Sequence, residues 1–298
     1  MLKGVAVGFL AYGLFSTADA CIKALGSTLP VFEILFFMMA AHCLTLPVAK
    51  PRGERWRDVL RWQRPKLVAI RVVCGLFAGF CGVYAFTTLP LAEAYALVFL
   101  MPAFATMLSI PLLGEEVGWR RWLAVAVGFA GVLLVVKPGF RELHLGHLLA
   151  AISAVLGAIS MIVLRILGPT EKRVTLLSAI YIVATVVNGV LMIPTFIMPV
   201  WKDFAIIALA GAAGGSGQVA LLVATRLSPA NRVAPAQYSQ IVWAVVFGAA
   251  FFGEVPDGIA FLGMGLVALS GLFTFFREEK LHGWSRRVIL MRDRPDEI

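Results

Sequence analysis

Ten stretches of 15 residues or more contain no Asp, Glu, Lys or Arg: 4–18, 34–49, 72–92, 94–114, 122–136, 143–164, 174–201, 204–225, 233–253 and 258–276. A bilayer core about 30 Å thick is crossed by about 20 apolar residues of helix rising 1.5 Å each, and a few polar residues at either end extend the shorter stretches to that length. Lipid offers no partner to a bare peptide group, so each stretch is read as a helix. What remains is nine connections and two ends. The longest of these, 50–66 and 277–298, are shorter than the roughly 50 residues of a minimal domain. With a mean hydropathy of +0.89 and only 14% charged residues, the chain reads as an all-α membrane protein of ten transmembrane helices.

The net charge of +9 is informative through its placement. Ten spans put both termini on one side, and that side collects Lys3, the seven basic residues of 50–66, Arg120, Arg121, Arg165, Lys172, Arg173, Arg226, Arg232 and six in the tail. The other side holds Lys23, Lys137, Arg141 and Lys202, and Arg71, at the start of the third span, would join the larger set. Positive loops resist translocation, so the rich side is expected to be cytoplasmic. The basic excess is thus a topology signal. It gives no case for nucleic acid, and the expected partners are the lipid bilayer and a small-molecule substrate.

At the N-terminus, Met1-Leu2-Lys3, the apolar run to Phe15 and Ala18-Asp19-Ala20 read much like a cleavable signal peptide, but the repeat described next needs this segment as a helix. Cys21, Cys43, Cys74 and Cys81 have no Cys-x-x-Cys spacing and no His at metal spacing. They read as small packing residues, and no metal or cofactor is expected.

The two halves resemble each other. Leu113-Gly114-Glu115 and Phe252-Gly253-Glu254 both close an apolar span, Thr88-Leu89 and Ala92 partly match Arg226-Leu227 and Ala230, and Gly131 pairs with Gly271. These matches share one offset apart from single-residue drifts in the loops, and that offset places five spans in each half. Five is odd, so a direct repeat in sequence becomes an inverted one in the membrane. Inverted repeats are what secondary transporters use to build two accesses around one central site. The expected units are 3–138 and 144–277, followed by a basic tail, 278–298.

The stretch Leu91-Ala92-Glu93-Ala94-Tyr95-Ala96-Leu97-Val98-Phe99-Leu100-Met101-Pro102, continuing through Leu113-Gly114-Glu115-Glu116 to Gly128-Phe129-Ala130-Gly131-Val132, resembles the EamA-type drug/metabolite transporters. So does Ala234-Pro235-Ala236-Gln237-Tyr238 running to Gly253-Glu254-Val255-Pro256-Asp257. The resemblance implies a bacterial inner-membrane secondary carrier of small metabolites, very often an exporter, with a cavity between the halves. In one respect the chain departs: many relatives carry an Arg eight residues beyond the Pro near the start of the second span, where this chain has Met38 after Pro30.

Ionisable groups within lipid are expensive and normally face the bundle interior or water. Tyr12, Ser16, Asp19 and Lys23 follow i, i+4, i+7, i+11 spacing and form one polar stripe on the first span. Asp19 and Lys23 could form a pair that merely orients the helix, or Asp19 could serve the substrate or a proton. Glu33 and Glu93 lie near the ends of spans two and four, where the plain reading is a solvated helix end. Three carboxylates facing one ammonium favour a cationic or zwitterionic substrate or a proton-carrying carboxylate. His42 sits deeper in span two, either as a neutral hydrogen-bonded group or as a relay.

Six of the seven tryptophans fall in connections or at span ends, as an interfacial belt requires, whereas Trp243 is mid-membrane. Trp243, Gln240 and Gln237 form a strip of adjacent positions behind Pro235, which is expected to open the helix there. Tyr238 lies on another face. Tyr84, Tyr95 and Phe99 are candidates opposite the strip. The run Gly211-Ala-Ala-Gly-Gly-Ser-Gly217 permits either a broken helix or close packing. No nucleotide-binding signature or intramembrane catalytic set is present in the sequence. The expected function is a secondary carrier, with export as the expected direction, of a small cationic or zwitterionic amphipathic metabolite such as an amino acid or derivative. The alternative is an importer or exchanger of a larger, cofactor-like metabolite.

Overall fold

The computed structural model describes residues 2–50, 53, 55–57, 61–114, 117–138, 142–228 and 230–281. It contains no strands among them. In chain order the helices are α1 (Leu2–Leu25), α2 (Val31–Ala49), α3 (Pro65–Thr88), α4 (Leu91–Val98), α5 (Met101–Leu113), α6 (Trp119–Val136), α7 (Leu145–Leu167), α8 (Arg173–Met192), α9 (Trp201–Leu227), α10 (Ala230–Val233), α11 (Ser239–Phe247) and α12 (Gly258–Leu281). Among the described residues, seven helical segments are long and apolar enough to cross a membrane, α4 and α5 counting as one, while Val31–Pro47 and Gly258–Phe273 are shorter apolar helices. The stretch 230–252 is divided: α10, a 3-10 segment over Ala234–Tyr238, α11 and a π-helical turn over Gly248–Phe252.

The ends of these elements follow from local chemistry. Pro30 and Pro90 precede α2 and α4 in extended conformation, where a missing N–H costs nothing because the first-turn donors lack intrahelical partners anyway. Gly114 and Gly253 close their helices at φ 65 and φ 68. Only a residue without a Cβ takes that left-handed cap cheaply, which is why the Gly-Glu motif recurs at both places. Pro235 cannot donate within a helix, and the chain around it tightens into the 3-10 segment, so the expected opening takes that form.

Packing pairs α1 with α9, α3 with α7, α6 with α12 and α2 with α8, each pair joining the first half of the chain to the second. In lipid, helices have no hydrophobic drive toward one another, so close approach of backbones has to supply the attraction. A Cβ at Gly263 would lie 2.5 Å from the Gly131 carbonyl oxygen, and one at Gly131 would lie 2.7 Å from that of Gly263. Those two glycines therefore let α6 and α12 touch. The glycine run 211–217 does the same: α9 is continuous through it. Added Cβ atoms there would meet Ala41 and Thr45 of α2 at 2.9 Å and Phe15 of α1 at 2.8 Å. Close packing rather than a break is what the run provides.

The connections 26–30, 89–90, 193–200 and 253–257 gather with the end of α6 at the end of the bundle away from the N-terminus, here the distal end. Side chains lace them together: Thr28 donates to Asp203 at 3.0 Å, the Ile197 N–H donates to Glu33 at 3.1 Å, and Lys137 pairs with Asp257. Lys137 itself closes α6 at φ 51, a conformation that costs a residue with a Cβ roughly 1–2 kcal/mol. Trp56, Trp119, Trp122 and Trp201 are exposed near helix ends. Trp284 lies outside the described residues.

Candidate functional site

Three elements far apart in sequence converge on one hydroxyl. Tyr95, buried on α4, donates to the Asp19 carboxylate on α1. Its oxygen lies 3.3 Å from Ser16 Oγ and receives Gln240 Nε2 from α11 at 3.4 Å. Ser16 and Asp19 sit one turn apart on the polar stripe, so the 3.6-residue period alone puts both toward α4. The bond to Asp19 is charge-assisted and hence the strongest of the three. Asp19 is only partly buried. One of its oxygens, Oδ2, takes the tyrosine, and no hydrogen bond engages Oδ1 among the described residues. Unlike Glu33 Oε1, this oxygen is not fully buried, so an acceptor is left open to a partner.

Rings surround the cluster. Phe86 meets Tyr95 edge-on at 5.0 Å, Phe99 lies 5.7 Å from Tyr95, and Tyr238 lies 5.4 Å from Phe99. Phe99 stands at the interruption between α4 and α5, and Tyr238 at the junction between the 3-10 segment and α11. Tyr238 follows Phe99 at the same offset that separates Gly253 from Gly114. A second such pair exists, because His42 on α2 and Tyr181 on α8 are related by that offset too, and they stack at 5.3 Å and 26°. Gln218 Nε2 donates to the Tyr181 hydroxyl at 3.4 Å, and His42 Nδ1 is buried without a well-formed hydrogen bond.

Of the two alternatives for Asp19 and Lys23, the orienting ion pair between them does not form. Lys23 reaches the distal end instead, where its Nζ lies 2.7 Å from Glu254 Oε1, donates to the Leu89 carbonyl at 2.5 Å and sits 5.2 Å over the Phe252 ring. An i, i+4 spacing permits a pair but does not oblige it when each group has a better partner on another helix. Glu93 is corrected. It is not a solvated helix end but buried, with Oε2 3.1 Å from His147 Nε2 on α7. Glu33 is 0% exposed, and its Oε1 has no hydrogen-bond partner among the described residues.

The remaining candidates are spread more widely. Trp243 is 37% exposed, stacks on Phe247 at 5.4 Å, and turns its indole nitrogen toward Gly13 rather than toward the Tyr95 hydroxyl. Gln237 is partly buried and makes no side-chain hydrogen bond among the described residues. Tyr12 packs edge-on to Phe15 at 5.9 Å, and Tyr84 lies 6.4 Å from Phe80. The Tyr238 hydroxyl covers Gly271, where a Cβ would come within 1.8 Å of it. The sequence alone points to neither His147, Phe86 nor Tyr181, and it marks Glu254 only as part of a repeat. A glutamate directly after a helix-capping glycine was the available signal for Glu254. The others reveal themselves only through contacts between helices that are packed together in space.

Known proteins place this arrangement. The model of the EamA-like transporter family matches the chain twice, over residues 2–137 and 144–276. An S-adenosylmethionine uptake transporter of Rickettsia prowazekii (strain Madrid E) is 25% identical, with 94% of each chain covered. A pseudopaline exporter of Pseudomonas aeruginosa (strain UCBPP-PA14) is 28% identical over 90% of this chain and 94% of its own. A riboflavin transporter of Rhizobium johnstonii is 29% identical over 80% and 78%. A protein of known crystal structure shares the fold with a TM-score of 0.64 at 17% identity, over 95% of this chain and 99% of its own. The chain belongs to the EamA-like transporter family.

Proposed function

We propose that this transporter is a secondary carrier of a small cationic or zwitterionic amphipathic metabolite, an amino acid or a derivative of one, and that Asp19 receives the cationic group. The observation that carries this reading is the unengaged Oδ1 of Asp19. The carboxylate is held by Tyr95 between α1, α4 and α11, and its stripe neighbour Lys23 is committed elsewhere. A cation docking there meets a full charge in a medium of low dielectric, and the Tyr95, Phe99 and Phe86 rings add an aromatic face worth about 0.5–2 kcal/mol.

Alternating access in this reading exchanges two five-helix units, 3–138 and 144–277, related by a two-fold axis in the membrane plane. Two ring pairs whose members are separated by the repeat offset, Phe99 with Tyr238 and His42 with Tyr181, are what such an axis would pass between. The helix interruptions at Phe99 and Tyr238 support it, since discontinuous helices at mid-membrane are a recurrent way of lining a substrate site. The basic side then faces the cytoplasm of a bacterial inner membrane, with both termini on it.

A second reading, import or exchange of a larger cofactor-like metabolite, is favoured by the names of the S-adenosylmethionine and riboflavin carriers among the relatives. The two readings meet in S-adenosylmethionine, itself a cationic amino-acid derivative with an aromatic base. A thermal-shift screen of the purified protein against amino acids, amines, S-adenosylmethionine and riboflavin tests both, because a binder raises the melting temperature by mass action. The expected hit carries a positive charge and loses its shift in Asp19→Asn. A binder whose affinity is unchanged by Asp19→Asn overturns the assignment of Asp19. Substrate accumulation in right-side-out against inside-out vesicles then reads the direction.

A further inference from the structure

We infer that Lys23 and Glu254 form the gate that closes the substrate path at the distal end, and that transport requires this pair to part. The pair ties several elements together at once. Lys23, near the C-terminal end of α1, holds Glu254 Oε1 at 2.7 Å and the Leu89 carbonyl at 2.5 Å, and lies over the Phe252 ring. Glu254 turns its other oxygen, Oε2, to the Leu91 N–H at 2.9 Å, at the start of α4.

One ammonium and one carboxylate thus bind α1, the corner between α3 and α4, and the corner between the π-helical turn and α12. The first two belong to one half of the chain and the third to the other. The backbone prepares both ends of this clasp. Leu89 is the C-cap of α3, so its carbonyl lies outside the regular ladder, and Leu91 is the first residue of α4, so its N–H has no partner within the helix. Gly253, in its left-handed cap, turns the chain so that Glu254 points back across the bundle, and the Glu254 N–H is anchored on the Gly248 carbonyl at 2.9 Å.

The clasp sits directly over the candidate site. Lys23 is one turn along α1 from Asp19, and Leu91 is about one turn along α4 from Tyr95. Between α4 and α11 a cavity of about 260 Å³ is lined by Pro90, Ala92, Glu93, Ala244 and Glu254, among others. Glu254 forms part of its wall, and Ala244, also on that wall, is one turn along α11 from Gln240. With Lys23 one turn distal to Asp19 and Leu91 one turn distal to Tyr95, a path leaving the cluster along α1 and α4 toward the distal end would run past this pair. The inference goes beyond the proposed substrate class and holds for any cargo.

The test is a cysteine pair, Lys23→Cys with Glu254→Cys, in a background free of the four native cysteines. It is reconstituted in liposomes and assayed by counterflow of S-adenosylmethionine or of whichever cation the binding screen returns. A bis-methanethiosulfonate reagent about as long as the ion pair it replaces should join the two cysteines and lower transport at least tenfold, and reductant should restore it. A joined protein that transports like its reduced form overturns the gate, and so does failure of the reagent to join the two positions in folded protein. A second measurement is independent of cargo. Ala244→Cys, combined with Glu254→Gln, should react several-fold faster with an impermeant maleimide added at the distal side than Ala244→Cys alone. Equal labelling, with both proteins monodisperse, overturns the gate while leaving the Asp19 reading untouched.

Discussion

Two polar clusters in the interior of this bundle share a glutamine–tyrosine pair and differ in the groups set around it. Around Tyr95 and around Tyr181, a glutamine amide donates to a tyrosine hydroxyl at 3.4 Å, and each site includes a ring facing its counterpart at the repeat offset. The Tyr95 site adds Asp19, whereas the Tyr181 site adds His42, stacked on the tyrosine. At the same offset the place of Asp19 is taken by Ala158, buried in α7. A chain that repeats in sequence thus carries a lopsided set of charges. In the proposed carrier, symmetry would provide two ways for the helices to pack, while the chemistry that recognises a cargo is needed only once and would lie off the axis.

The sharpest way to break this contrast is to remove the charge. Asp19→Asn keeps the size and a hydrogen-bonding partner for Tyr95, so the protein should fold, while transport should fall by about a hundredfold. That corresponds to a charged hydrogen bond worth about 1.5–3 kcal/mol. Counterflow in liposomes, with gel filtration as the control, measures both. Adding Lys23→Met should not restore activity, because Lys23 is engaged with Glu254; restoration would make Asp19 a mere partner of Lys23.

Tyr95→Phe should weaken substrate affinity about tenfold, since it removes only the group that orients the carboxylate. Titration by thermal shift reads the change, and an unaltered affinity would move the site away from α4. A smaller difference separates the two glutamines. Gln240→Leu should change the ranking of substrates in a competition assay, whereas Gln218→Leu should leave the ranking as it was and alter only the melting temperature.

His42→Gln should change transport by less than about threefold, which is roughly 0.6 kcal/mol. A pH profile shifted by that substitution would raise the second cluster to equal rank with the first. Least of all is expected from Trp243→Phe, because the indole faces Gly13 and the ring stack on Phe247 survives the exchange. A large loss of affinity there would relocate the site to the strip on α11.

Much of the architecture was legible in the residues because membrane helices are dictated locally. Apolar runs must satisfy their own backbone, proline and glycine set their ends, and a polar stripe of helical period on α1 must turn toward protein. Ser16 and Asp19 were found for that reason, and so was the offset that reappears in Phe99 with Tyr238 and His42 with Tyr181. Trp119, Trp122 and Trp201 are exposed at or near helix starts, as the belt reading expects of them.

What only the tertiary structure decided is which partner each polar group takes. Lys23 had Asp19 at the right spacing and chose Glu254, in the other half of the chain. Glu93 stood at a helix start and was buried by His147, and the glycines of α9 were spent on contact with α1 and α2 rather than on a break. Sequence determines the direction a side chain leaves its helix, because that follows from 100° per residue. Its partner depends on which helices lie alongside, and that is settled by packing over the whole bundle, where a salt bridge with two further hydrogen bonds outcompetes a neighbour one turn away.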